Sequence, residues 1–181
     1  MDFIPTPLKG AYIIDPEVRK DNRGAFFRTY CKKEFAKIEF TKEWVQMNHS
    51  VNLIKGTVRG LHYQIPPFSE TKLIRCIKGK IWDVIIDIRK LSPTFLQSFS
   101  MELSAENKKM LFIPEGFAHG FQTLENDCEL IYNHSSFYNP ESESGLRFDD
   151  PTLNIKWNIS VSELSERDKN HPLIDNSFNG I

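Results

Sequence analysis

The chain has 181 residues, 40% of them hydrophobic and 26% charged, with a formal net charge of -1. That length suits one domain with a real hydrophobic core, and the composition excludes a disordered or collagen-like chain. With 23 Lys+Arg against 24 Asp+Glu there is no bulk attraction to nucleic acid or to an acidic membrane.

In chain order, Met1-Asp2-Phe3-Ile4-Pro5 lacks the basic region and apolar run of a secretion signal. Short segments rich in β-branched and aromatic residues then recur between turn signals. They predict strands at Ala11–Ile14, Ala25–Tyr30, Trp44–Val51, Thr57–Gln64, Lys72–Ile77, Lys80–Ile88, Leu96–Leu103, Lys109–Ile113, Gly120–Leu124 and Glu129–Ser136. Helical pattern is scarce. Lys32–Ile38 predicts a short peripheral helix. Ser160–Lys169 predicts a C-terminal one, because Ser160 and Glu163 have capping-box spacing. Many short strands and few helices point to an all-β sandwich or barrel spanning residues 1–181 as a single domain.

Ile81–Ile88 is the most apolar stretch, but it holds Asp83 and Asp87 and is too short to cross a bilayer. Its parity puts Trp82, Val84, Ile86 and Ile88 on one face and Ile81, Asp83, Ile85 and Asp87 on the other. The carboxylate-bearing face is either a charged face inside a barrel mouth, a usual ligand site, or the solvent side of an ordinary alternating strand, and parity alone favours the second. Cys31, Cys76 and Cys128 are odd in number and widely spaced. They form neither a disulfide framework nor a zinc pattern and read as free thiols of a cytoplasmic protein. Three Asn-x-Ser sequons, at Asn48, Asn133 and Asn158, carry no weight without a secretion signal.

The densest chemistry lies in Arg59-Gly60-Leu61-His62-Tyr63-Gln64, followed by Pro66-Pro67. A guanidinium there can clamp a phosphate, and an imidazole can act as a base near neutral pH. A lone strand histidine is more often structural, but this one has company: Lys72 and Arg75 on the next strand, and His119 in Gly116-Phe117-Ala118-His119-Gly120-Phe121. In a regular strand Arg59 and His62 would point to opposite faces. If both serve one site, a bulge must intervene, and Gly60 is the natural place. Tyr132 lies mid-strand with Tyr138 nearby, and Glu166-Arg167-Asp168-Lys169 ends the predicted C-terminal helix. Taken alone, these read as core packing and a solvated charged turn.

Taken together, the segments resemble the dTDP-4-dehydrorhamnose 3,5-epimerase family. The similarity is carried by Arg59–Gln64 with Pro66-Pro67 and by Ile113-Pro114-Glu115-Gly116-Phe117-Ala118-His119-Gly120-Phe121. Asn48-His49-Ser50, Asp87-Ile88-Arg89-Lys90 with Ser92-Pro93-Thr94, Leu103-Ser104-Ala105-Glu106-Asn107 and Leu164-Ser165-Glu166-Arg167-Asp168 add to it. The matches run in order from about Arg23 to Lys169. The resemblance implies a cupin-like jelly-roll or β-barrel with short peripheral and C-terminal helices. It also implies no metal and no cofactor, and a homodimer whose N-terminal region reaches the partner's site. The substrate would be a nucleotide-diphosphate-linked 4-keto-6-deoxyhexose of dTDP-rhamnose biosynthesis, on the route to O-antigen and lipopolysaccharide.

By the same resemblance His62 is the catalytic base, Asp168 its dyad partner, Lys72 the stabiliser of the enolate and Tyr132 the acid on the opposite face. Arg23 and Arg59 would meet the diphosphate. Gln46, Asn48, His119 and Tyr138 would line the sugar and nucleotide region. The chain departs from the family pattern at Arg28, where many members carry glutamate in the nucleotide region, at Ser69-Glu70-Thr71 and at Phe148. These departures leave open the nucleotide, the sugar and whether one or both carbons are inverted. Two other classes stay in view. A metal-dependent cupin would need more than His62, Glu70 and His119, since Gln64 stands where a second close histidine belongs. A non-catalytic sugar-nucleotide binder would not need His62, Lys72, Tyr132 and Asp168 together.

Overall fold

A computed structural model describes all 181 residues. It opens with β1 (Asp2–Pro5), β2 (Tyr12–Asp15) and a hairpin of β3 (Arg19–Asp21) and β4 (Gly24–Phe26). α1 (Lys32–Phe35) runs into a 3-10 turn at Ala36–Ile38. Then come β5 (Gln46–Asn52), β6 (Val58–Gln64), β7 (Lys72–Lys78), β8 (Lys80–Asp87) and β9 (Ser98–Ser104). β10 (Met110–Ile113), β11 (Phe117–Thr123), β12 (Cys128–His134), β13 (Glu143–Gly145) and α2 (Glu166–Lys169) complete the chain. The strands form a six-stranded sheet, β1-β2-β10-β7-β12-β5, and a five-stranded sheet, β13-β6-β11-β8-β9. β3 and β4 pair only with each other. Every pairing between these strands is antiparallel, and the sheets do not close into a cylinder, so the fold is the jelly-roll form of the expected all-β class.

Three apolar layers hold it together. Ile74, Cys76, Leu111 and Leu130 of the six-stranded sheet meet Ile81, Ile85, Leu103 and Phe121 of the five-stranded sheet in the central core. The outer face of the five-stranded sheet, with Leu61, Val84, Ile86 and Ala118, is covered by Leu146, Leu153, Trp157, Ile174 and Phe178. The outer face of the six-stranded sheet, with Ile14, Leu73 and Phe112, is covered by Phe35, Phe40 and Trp44.

This layering corrects two expectations. The carboxylate-bearing face of β8 is not solvent-facing: Ile81, Asp83, Ile85 and Asp87 are all 0% exposed. Both faces of β8 are buried, because the C-terminal segment covers the side an isolated sandwich would leave wet. The predicted helix over Ser160–Lys169 shrinks to Glu166–Lys169. The Ser162 N–H donates to the Gly56 carbonyl at 3.0 Å and the Val58 N–H to the Glu163 carbonyl at 2.9 Å, so this stretch is held extended. The capping signal moves to Ser165, whose Oγ accepts the Asp168 N–H at 3.1 Å.

The anticipated irregularity at Gly60 is present. His62 lies opposite His119 and Arg59 opposite Phe121, so three steps on β6 match two on β11. Gly60 has φ +129°, and a Cβ there would sit 2.5 Å from the Gly120 Cα. Only glycine meets both demands.

Candidate active site

A cavity of about 310 Å³ opens between the two sheets. One wall comes from three adjacent strands. Gln46, His134 and Lys72 face one another across β5, β12 and β7, and Asn48, Tyr132 and Ile74 form the next row. The row after that is Ser50, Leu130 and Cys76, two of them in the central core. One sheet face thus grades from polar site to dry core within three rows. The other wall is the bulged β6 with β11, and because of the bulge Arg59 and His62 both line the cavity.

His62 is half-buried, and its Nε2 lies 2.8 Å from Asp168 Oδ1. The other carboxylate oxygen accepts the Gly60 N–H at 3.1 Å. Burial pushes the Asp168 carboxyl up, but the His62 ring and the Gly60 amide more than offset this and hold it at about 2. The aspartate is therefore an anion at neutral pH. It engages Nε2 and leaves Nδ1 to take a proton. Arg167 was overlooked in the sequence as part of a charged turn. It sets Nη2 3.1 Å from His62 Nε2 and gives Nη1 to Glu143 at 2.7 Å.

Lys72 is 7% exposed. Its Nζ lies 3.2 Å from Glu70 Oε1 and 3.4 Å from the His62 carbonyl. Burial pushes the Glu70 carboxyl up, but His134 at 2.7 Å and the Lys72 ammonium bring it below its usual value. Tyr132 stands on the wall opposite His62, with its ring 6.2 Å from that of His119 and 6.4 Å from that of Phe121. Burial pushes its phenol well up, so it keeps its proton and can serve as an acid.

His119 is buried and bonds Asp83 through Nε2 at 3.0 Å. Burial raises the Asp83 carboxyl in spite of that partner. Arg59 gives Nε to Asn52 at 2.6 Å and leaves its Nη groups without a protein partner. Gln46, Asn48 and Tyr138 also line the cavity, and Tyr138 donates its hydroxyl to Glu143 at 2.8 Å at the exposed rim.

Two expected site residues are elsewhere. Arg23 sits in the β3–β4 turn, paired with Asp21 at 2.6 Å and highly exposed. Arg28 pairs with Glu34 at 2.6 Å, and Glu34 also holds the Met1 ammonium at 3.1 Å. Neither lines this chain's cavity, because the hairpin joins neither sheet. Glu70, Asp83, His134 and Glu143 were missed as site residues. His134 and Glu143 reach the cavity through sheet register and Glu70 from the loop before β7, while Asp83 stands fully buried behind His119 without lining it; nothing in their local sequence signals these places.

The donor set of a metal-dependent cupin does not converge. His119 is spent on Asp83 and Glu70 on His134. The titratable groups that do lie close are His62, Asp168 and His171. The Arg167 guanidinium puts a positive charge beside them, which opposes a cation.

Comparison with known proteins fits this geometry. Residues 5–176 match a family model described as dTDP-4-dehydrorhamnose 3,5-epimerase. A Shigella flexneri protein of that name is 43% identical over 171 residues, covering 94% of each chain. A crystal structure of the Elizabethkingia anophelis dTDP-4-dehydrorhamnose 3,5-epimerase superposes with a TM-score of 0.93 at 41% identity, covering 98% of each chain. A Legionella pneumophila dTDP-6-deoxy-D-glucose-3,5-epimerase, solved with dTDP-4-keto-L-rhamnose, gives 0.90 at 38% identity, covering 95% of this chain and 92% of the other.

Proposed function

The chain belongs to the dTDP-4-dehydrorhamnose 3,5-epimerase family, and from that premise we propose how its own residues carry out the inversion. The protein is an isomerase that epimerises a 4-keto-6-deoxy sugar nucleotide of the dTDP-rhamnose pathway. The C4 ketone acidifies the C–H bonds at C3 and C5, yet these remain far weaker acids than imidazolium. Each unit of that mismatch costs about 1.4 kcal/mol, so the enolate must be stabilised as it forms. His62 Nδ1 removes the proton, with Asp168 fixing the ring tautomer. The electron pair moves onto the ketone oxygen, where the Lys72 ammonium meets it. Tyr132 then gives its hydroxyl proton to the same carbon from the other face. Solvent takes the proton from His62 and restores the one on Tyr132, so the net change is inversion alone.

Arg59 and Arg167 flank the entrance and suit the diphosphate, bidentate donors being the usual choice for it. Gln46, Asn48, His119 and Tyr138 suit the sugar and nucleotide. We read residues 1–181 as one unit acting as a homodimer, and in the reducing cytoplasm, where unpaired buried thiols such as Cys76 and Cys128 belong. The β3–β4 hairpin would carry Arg23 and Arg28 to the partner's site. Its strands are exposed throughout, and Phe26 is 76% exposed. A fully active monomer in sedimentation would overturn the dimer.

The observation that carries the mechanism is the His62–Asp168 pair on one wall and the Tyr132 phenol on the other. In heavy water every inverted carbon must take up deuterium. Tyr132→Phe should keep exchange on the His62 face while inversion falls about 10²–10⁴-fold, the usual worth of a positioned acid. Inversion at the wild-type rate would remove Tyr132 from the mechanism. Deuterium at C3 alone would mark a mono-epimerase.

A further inference from the structure

Six hydrogen-bonding groups, joined by five contacts, run in a single file along the wall that carries Tyr132. The backbone N–H of Tyr138 donates to Gln46 Oε1 at 3.1 Å. Gln46 Nε2 donates to Asn48 Oδ1 at 3.1 Å. Asn48 Nδ2 lies 3.3 Å from His134 Nε2. His134 Nδ1 lies 2.7 Å from Glu70 Oε2, and Glu70 Oε1 is 3.2 Å from the Lys72 ammonium. A backbone amide can only donate, and an ammonium can only donate. Both ends of the file are therefore fixed, and every group between them has one allowed orientation. Gln46 must present its amide nitrogen to Asn48, Asn48 must present its own to His134, and His134 Nε2 must accept. The His134 proton is then on Nδ1 and points at Glu70. Glu70 and His134 side chains are each 10% exposed, so water does not readily take over these bonds.

We infer that Glu70 and His134 are positioning residues that aim the Lys72 ammonium at the ketone oxygen and lock it to the amides of Gln46 and Asn48. This rests on the assignment of Lys72 as enolate stabiliser. Lys72 has only two anchors, Glu70 and the His62 carbonyl, and the second is long at 3.4 Å. A flexible four-carbon stem with one loose contact is poorly aimed, and Glu70 removes that freedom. His134 does the same for Glu70. Gln46, His134 and Lys72 occupy directly opposed positions on three neighbouring strands, so these three members of the file stand on sheet backbone, with Glu70 in the loop just before β7.

Glu70→Gln tests this with almost no change of shape. The new amide has one acceptor for two donors, so its nitrogen must face either His134 Nδ1–H or the Lys72 ammonium, a donor against a donor, and the polarity of the file breaks. His134→Phe removes both ring nitrogens, whereas His134→Gln keeps a donor and an acceptor. Deuterium exchange and inversion are measured with kcat and KM separated, on variants shown by thermal melting to be folded. Glu70→Gln and His134→Phe should lower kcat about 10- to 100-fold, the scale of a small misplacement of a reacting group, with KM nearly unchanged. His134→Gln should recover most of the loss. The double variant Glu70→Gln with Lys72→Met should be no slower than Lys72→Met alone. If Lys72→Met is inactive while Glu70→Gln and His134→Phe turn over normally, the relay falls and the mechanism stands. If the Glu70→Gln loss adds in full to that of Lys72→Met, Glu70 does not act through Lys72 and the relay also falls. If Lys72→Met turns over normally, the enolate role of Lys72 is wrong and the relay goes with it.

Discussion

Asp168 is the residue where stability and chemistry meet. Its folded carboxyl titrates at about 2, below its ordinary 3.8, so it stabilises the fold fully above about pH 4. That contribution is lost as the pH falls through 2, and it amounts to about 2 kcal/mol by linkage. Asp168→Asn should therefore lower stability at pH 6, and the gap to the native protein should narrow as both are melted at pH 4, 3 and 2. Turnover should fall by at least about 10²-fold, because an amide cannot hold the imidazole in the same tautomer. A gap that stays constant over this range would show that Asp168 is not an anion paired with His62. His62 and Asp168, proposed as base and partner, stand in the motif segments Arg59–Gln64 and Leu164–Asp168, whereas Lys72 and Tyr132 were assigned only through the family resemblance. Glu70 and His134 were not legible as site residues. They are 64 residues apart and become neighbours only through the β7–β12 register.

At the level of elements, the bulge in β6 decides whether Arg59 and His62 can share a site. Parity alone exposed that conflict and pointed to Gly60 as its resolution. Gly60→Ala would force a side chain to φ +129° and drive Cβ to 2.5 Å from the Gly120 Cα and 2.9 Å from the His119 carbonyl oxygen. Backbone neighbours on a central strand cannot yield as a side-chain tip can. The cost should be about 3 kcal/mol or more, read as a drop in the urea midpoint. Turnover should fall with it, since the Gly60 N–H also anchors Asp168. A wild-type midpoint would mean the strand reshapes there freely. Parity failed on β8 for an equally physical reason. Alternation tells which residues share a face, but not which face looks inward: Asp83 lies on the inner face with Ile81 and Ile85 of the central core, while Leu153, Trp157 and Phe178 cover the opposite, Val84 and Ile86 face. The helix at Ser160–Lys169 failed because capping spacing is a local preference, and pairing with Gly56–Val58 outweighed it.

For the whole molecule, the catalytic pair joins the sheet to the segment that wraps it. His62 belongs to β6, and Asp168 to a four-residue helix tied to the sheet by side chains, Asp168 to His62 and the Gly60 N–H and Arg167 to Glu143. That helix is held by two backbone bonds from the Glu163 region to Gly56 and Val58 and by the apolar outer layer beneath the C-terminal segment. Such a wrapping segment opens at lower free energy than the central strands do. The enzyme thus carries an internal reporter of its own partial opening. On the proposed mechanism, lifting the outer segment takes the anion from the imidazole and should stop catalysis while both sheets stay intact. In a urea titration turnover should disappear at lower denaturant than the β-sheet circular dichroism. Coincident transitions would mean that sheet and wrapping segment form one cooperative unit.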